Sequence, residues 1–305
     1  MYTPLDVYVA PATERTGLWR LFVGLVLITV GWLLWTVVVM SGFLLYQLAG
    51  GLSVEAALTE LGSFVEIASP ASVIFQLSTF IGIWPATWAT LRLLHGQRFG
   101  TLLSPERRLR WGDFFGGLAL AGGFWAITLS IGFTVVGMPV RSELALATWA
   151  LTFASLAIAV FFQASAEELV FRGYILQQLA ARWSNPLVWG VVPALLFGLA
   201  HYSNGAESGV GVHYVAVTLL FGTAAAALVW RIGSLAATIG LHTGMNMLSL
   251  SGVGLKGLIE GNQLYLYDTS DAATLLLADG AGTLAILLFI LSPLCPFRAR
   301  QTAAE

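Results

Sequence analysis

Three short stretches hold the side chains that could do chemistry. Glu167, Glu168 and Arg172 stand in ASAEELVFRG (164–173), Phe197 and His201 in FGLAH, and His242 and Asn246 in LHTGMN. The sequence around each is apolar. An ionisable side chain near the middle of a membrane helix costs about 2.5–3.5 kcal/mol on insertion scales, so each of these is by default a candidate functional residue. A glutamate four residues N-terminal to an arginine lies on the same helix face in the favourable order, so Glu168 is expected to pair with Arg172. Glu167 is rotated about 100° from its neighbour at 3.6 residues per turn, which leaves its carboxylate outside that pair and open to proton transfer. His242 and Asn246 form a second i,i+4 pair on one polar face. The plain structural alternative is a buried ion pair plus histidines that bond neighbouring helices. Confinement of two Glu, two His, one Asn and one Arg to three spans weighs against it.

The elements that must position these residues follow from composition. Of 305 residues, 57% are hydrophobic and 10% charged, and the mean hydropathy is +0.82. That is an integral membrane protein, here placed in the cell membrane of a prokaryote. A formal net charge of −2 supplies no positive field for a phosphate backbone, so nucleic-acid binding is excluded as a main activity. The one cysteine, Cys295, excludes a disulfide framework and any CxxC motif. It also has no acid–base partner nearby in sequence. A bilayer core roughly 30 Å thick needs about 20 apolar residues per helix. Eight runs answer that description: 21–49, 73–94, 113–137, 148–182, 186–201, 214–230, 234–250 and 274–294. They predict an all-α polytopic bundle in one integral domain over 1–305, with the motif region at about 145–250. Pro85 should kink the second span. Continuous rather than alternating apolar runs exclude a β-barrel. Asp113 reads as an N-terminal cap, His95 and His213 as interfacial residues, and Asp279 as a helix-end residue.

Lysine and arginine near span ends mark the cytoplasmic side. Arg15, Arg20, Arg92, Arg98, Arg107, Arg108, Arg110, Arg172, Arg182, Arg231, Arg298 and Arg300 all fall on one face of an eight-span chain. Both termini are therefore expected in the cytoplasm, and the 51–72 loop with Glu55, Glu60 and Glu66 outside. If 148–182 and 186–201 form a hairpin about Ser184–Asn185, Glu167 and His201 lie at one depth, about 23 Å from the turn. Gly240 and Gly244 form a small-xxx-small pair that admits a close helix neighbour.

The ordered set EExxxR, FxxxH and HxxxN on separate spans resembles the CPBP family of membrane proteases, the CAAX-protease and bacteriocin-processing (Abi) group. The resemblance implies an intramembrane glutamic endopeptidase acting on a membrane-associated protein or peptide in the lipid bilayer, without a cofactor. In that reading Glu167 with His201 activates a water, His242 and Asn246 stabilise the oxyanion, and Glu168, Arg172 and Phe197 shape the site. Two alternatives stay open. A zinc-dependent hydrolase could use the same Glu and His groups as ligands, although the chain has no HExxH. A non-catalytic bacteriocin-immunity or scaffold protein would carry the same fold. Substrate identity and oligomeric state are not encoded in these motifs.

Overall fold

The computed structural model describes residues 3–66, 69–256 and 261–298, with backbone alone for 63–66. All eight apolar runs are helical. In lipid a backbone group finds no water to bond, so each run closes its hydrogen bonds within itself. We number the helices α1 (Pro4–Val9), α2 (Leu18–Ala49), α3 (Val54–Glu66), α4 (70–95), α5 (Trp111–Val135), α6 (Leu146–Ala180), α7 (Leu187–Ala200), α8 (Gly211–Ile232), α9 (Ala236–Ser251) and α10 (Ala272–Leu291). Five of them, α2, α5, α6, α8 and the 269–291 run that contains α10, are long and apolar enough to cross a membrane. The chain is a membrane helix bundle. The shorter α7 and α9 sit among longer neighbours, which is where the chemistry lies.

Three helices depart from regular geometry, α7 by a π-helical stretch at Leu187–Val191. In α4 a tight turn at Thr79–Gly82 separates two α-helical segments. The ring of Pro85 opposes the carbonyl four residues back, at Ile81, which falls inside that turn; the expected kink is one turn earlier than the proline itself. In α6 the helix widens to a π-helical stretch over Leu169–Ile175, directly after Glu168.

Glycines set the closest packing. A methyl added at Gly240 would stand 2.0 Å from the Phe114 carbonyl oxygen, and one at Gly117 would stand 2.0 Å from that of Ala237. The backbones of α5 and α9 are thus nearly in contact, with Gly244 against Ala121 a turn further on. The close neighbour expected for the 240/244 pair is α5.

One end of the bundle gathers the N-terminus, the 96–110 loop, the 181–186 turn, the 232–235 turn and residues 292–298. Arg182 Nη1 donates to the Thr16 carbonyl (3.1 Å), Arg110 Nη1 to that of Ile232 (3.2 Å) and Arg231 Nη1 to that of Ile290 (2.7 Å). The other end carries α3 and a small sheet of order β1-β3-β2, formed by β1 (Val140–Arg141), β2 (Val253–Leu255) and β3 (Tyr265–Tyr267). Neither α3 nor the sheet was expected from the apolar pattern.

Several expectations need correction. Asp113 is not the cap of α5; Arg110 holds that position, and Asp113 lies in the first turn, 3.7 Å from the Arg110 guanidinium. His95 is buried rather than interfacial and shares a 3.0 Å hydrogen bond with the Tyr174 hydroxyl. Asp279 lies inside α10, not at its end. Arg172 belongs to the interior, at 1% exposure, so it does not count toward charge at a span end. Arg300 and the Glu66 side chain lie outside the described residues.

Candidate active site

Four helices converge on the motif residues. From α6, Glu168 Oε1 accepts from Arg172 Nη1 at 3.0 Å, with both side chains buried. This is the expected i,i+4 pair. From α9, the Nδ1 of His242 stands 2.9 Å from the same Glu168 oxygen, and its Nε2 stands 3.5 Å from Glu167 Oε2. A carboxylate only accepts, so His242 donates from Nδ1 and turns Nε2 toward Glu167. His242 thus bridges the two glutamates.

Glu167 differs from Glu168 in its bonding. Each carboxylate has an Oε2 without a hydrogen-bond partner among the described residues, but Glu168 is held through Oε1 by both Arg172 and His242, whereas Glu167 has no such anchor from a charged side chain. Its carboxylate is therefore the mobile acid–base group of the cluster.

The Arg172 guanidinium lies under three aromatic rings, 4.4 Å from the centre of Phe197, 5.3 Å from Phe221 and 6.0 Å from Phe171. Such contacts lend a desolvated cation about 2 kcal/mol or more. Gly222 on α8 leaves room for it, since a methyl there would stand 3.0 Å from Arg172 Nη2. Phe197 also stacks on His201, with ring centres 4.4 Å apart.

His201 terminates α7. Its Nδ1 lies 2.8 Å from the Phe197 carbonyl, which can only accept, so the proton sits on Nδ1 and Nε2 is left as an acceptor. No hydrogen bond joins His201 to Glu167 among the described residues; the Phe197 ring lies between His201 and the His242 and Arg172 side chains of the cluster. Asn246 is directed elsewhere, its Nδ2 donating to Gln163 Oε1 at 2.8 Å. The structure therefore groups Glu167, Glu168, Arg172 and His242 directly, places Phe197 and His201 against them, and reaches Asn246 through Gln163.

Three contributors escaped the motif reading: Gln163, Phe221 and Gly222. Gln163 carried a readable signal, because it lies one turn before Glu167 on the same face of α6. Phe221 and Gly222 gave none, since an aromatic and a glycine in an apolar span look like ordinary packing. Among the described residues no three His, Cys, Asp or Glu side chains stand together as a metal-ligand set.

Residues 148–248 match the family model described as type II CAAX prenyl endopeptidase Rce1-like. The match spans α6 to α9, the helices that build the cluster. The uncharacterized protein YyaK of Bacillus subtilis (strain 168) is 26% identical over 184 residues, 58% of this chain and 60% of that protein. This chain thus covers less than two thirds of that relative's length. No solved structure matches the chain.

Proposed function

We propose that this chain, a member of the type II CAAX prenyl endopeptidase Rce1-like family by its residues 148–248, cleaves a membrane-associated protein or peptide with a water activated by Glu167. Membership supports a membrane protease in general, and the bonding around the two glutamates supports the finer reading. The carrying observation is that Glu167 is buried 3.5 Å from His242 Nε2 with no hydrogen bond to its Oε2, while Glu168 is held through Oε1 by both Arg172 and His242. A carboxylate so placed removes a proton from water. His201 faces the site with Nε2 as an acceptor and holds the water's second hydrogen. His242, anchored by Glu168, passes the proton on toward the leaving amine. The Asn246 amide keeps one hydrogen for Gln163 and offers the other to the oxyanion, a donor worth several kcal/mol in a dry site. No acyl-enzyme forms.

The decisive test is cleavage of a membrane-peptide library by purified protein, comparing the parent with Glu167→Gln and with added chelator. Turnover lost in Glu167→Gln and kept under strong chelation is the expected pair of results. Activity that falls with chelation and returns with zinc would replace the glutamate mechanism with a metal one.

A further inference from the structure

A second acidic site lies outside the cluster. A cavity of about 180 Å³ opens between α5, α8, α9 and α10 toward the sheet end of the bundle, and Asp279 lines it. Among the described residues Asp279 forms no ion pair with any lysine, arginine or histidine, although it stands inside a membrane-spanning helix. An ionised carboxylate there demands a partner. The walls beside it are aromatic: Trp125, Tyr214 and Tyr267 line the same space. A further lining group, Trp125 Nε1, is buried without a hydrogen-bond partner, and the Thr128 hydroxyl lies beside the Asp279 carboxyl. The proposed catalytic residue Asn246 also lines the cavity, so it adjoins the reaction site.

We propose that this cavity receives the alkylammonium of a substrate lysine. The chemistry of the lining selects it. A primary ammonium satisfies Asp279 and rests against aromatic faces, where a cation is attracted by the ring quadrupole. The carbonyl of the same substrate residue supplies the acceptor that the Trp125 indole N–H lacks. A neutral apolar residue would leave Asp279 without a counter-charge and the Trp125 N–H unpaired, and an acidic one would face Asp279 with like charge. That the ammonium arrives on a substrate rests on the proteolytic reading; that the cavity binds an ammonium does not.

The test has a binding arm and a kinetic arm. Thermal unfolding of the detergent-purified protein is followed with butylammonium, with butanol, with Nα-acetyl-lysine amide and with added phosphatidylethanolamine. Butylammonium and the lysine amide should each raise the unfolding temperature by a few degrees, butanol should not, and Asp279→Asn and Thr128→Val should weaken the response. Equal shifts with butanol, or no shift with butylammonium, overturn the site. Stabilisation by phosphatidylethanolamine but not by the lysine amide overturns the substrate assignment in favour of a lipid headgroup. In the kinetic arm, peptides with lysine should exceed their norleucine counterparts about tenfold in kcat/KM, and Asp279→Asn should remove that preference. Absence of any proteolysis would leave the binding arm to be read alone, so the two readings fail separately.

Discussion

Glu167 and Glu168 are neighbours in sequence and opposites in chemistry, because the helix turns one toward Arg172 and leaves the other facing His242. Truncating the arginine isolates Glu168 as a buried charge. Arg172→Ala should cost about 3–5 kcal/mol of stability, as breaking a buried pair does, together with activity. Equal unfolding temperatures for this variant and the parent would show that the 3.0 Å pair is not formed in the membrane. Glu167→Gln makes the contrasting case. It keeps the volume and removes only the base, so turnover should vanish while the unfolding temperature stays within a degree or two of the parent. Gln163→Leu separates the roles further: Asn246 loses its anchor, and kcat should fall with KM nearly unchanged, the signature of an interaction made mainly in the transition state. These distinctions were legible in the sequence where i,i+4 geometry governs them, as in the Glu168–Arg172 pair. The bridging of both glutamates by His242 was not. That contact depends on the rotation of α9 against α6, and nothing local to either helix records it.

Apolar length and period sufficed to find eight helical runs, five of which fall in helices long and apolar enough to cross a membrane, since backbone bonding in lipid leaves little choice but helix. Their irregularities were harder to foresee. The π-helical stretch after Glu168 has no proline or glycine pair to announce it, and α3 and the three-strand sheet sit outside the apolar pattern. The glycine contacts between α5 and α9 were half legible: Gly240 and Gly244 predict a close partner, but only packing selects α5. Gly240→Val should be among the most damaging single changes, because its β-carbon meets backbone, which cannot rotate away. A loss of about 3 kcal/mol or more, or failure to accumulate in membranes, is expected. Gly122→Ala, on the same α5 helix with open space at its β-position, should be neutral in the same expression and unfolding assay. Near-equal behaviour of the two would disprove backbone contact between the helices. Outside the spans, Glu106 and Arg110 fasten the loop before α5. Burial pushes the Glu106 carboxyl up, but its hydrogen bonds to Arg110 outweigh this and hold it below the usual range. A depressed carboxylate stabilises the fold above its unfolded pKa and loses that contribution as pH falls through its folded pKa. The parent should therefore lose stability relative to Glu106→Gln as pH falls through about 4.5, where unfolded glutamate is half-protonated, toward its lower folded pKa.

At the scale of the molecule, the two ends of the bundle are chemically different. The N-terminus, the arginine-rich 96–110 loop, the 181–186 turn and the C-terminal segment knit together at one end through hydrogen bonds from Arg182, Arg110 and Arg231. The opposite end carries the sheet, α3 and the His201–Val210 connection. Basic residues near span ends favour the cytoplasm, so the knitted end is expected on the inside. Glu167 lies about 23 Å along α6 from the 181–186 turn. If that turn stood at the edge of a hydrocarbon core about 30 Å thick, the cluster would fall beyond its midplane. A helix of 35 residues is longer than such a core requires, so α6 should project into the cytoplasm and return the cluster to the inner half. The consequence is checked by accessibility. In a Cys295→Ser background, single cysteines at Ser184 and Ser203 should respond oppositely to a membrane-impermeant thiol reagent on intact cells, with Ser203 labelled and Ser184 protected until the membrane is opened. The Asp279 cavity lies toward the same end as Ser203. Labelling at position 184 from outside would invert the molecule, and with it the compartment toward which the Asp279 cavity opens.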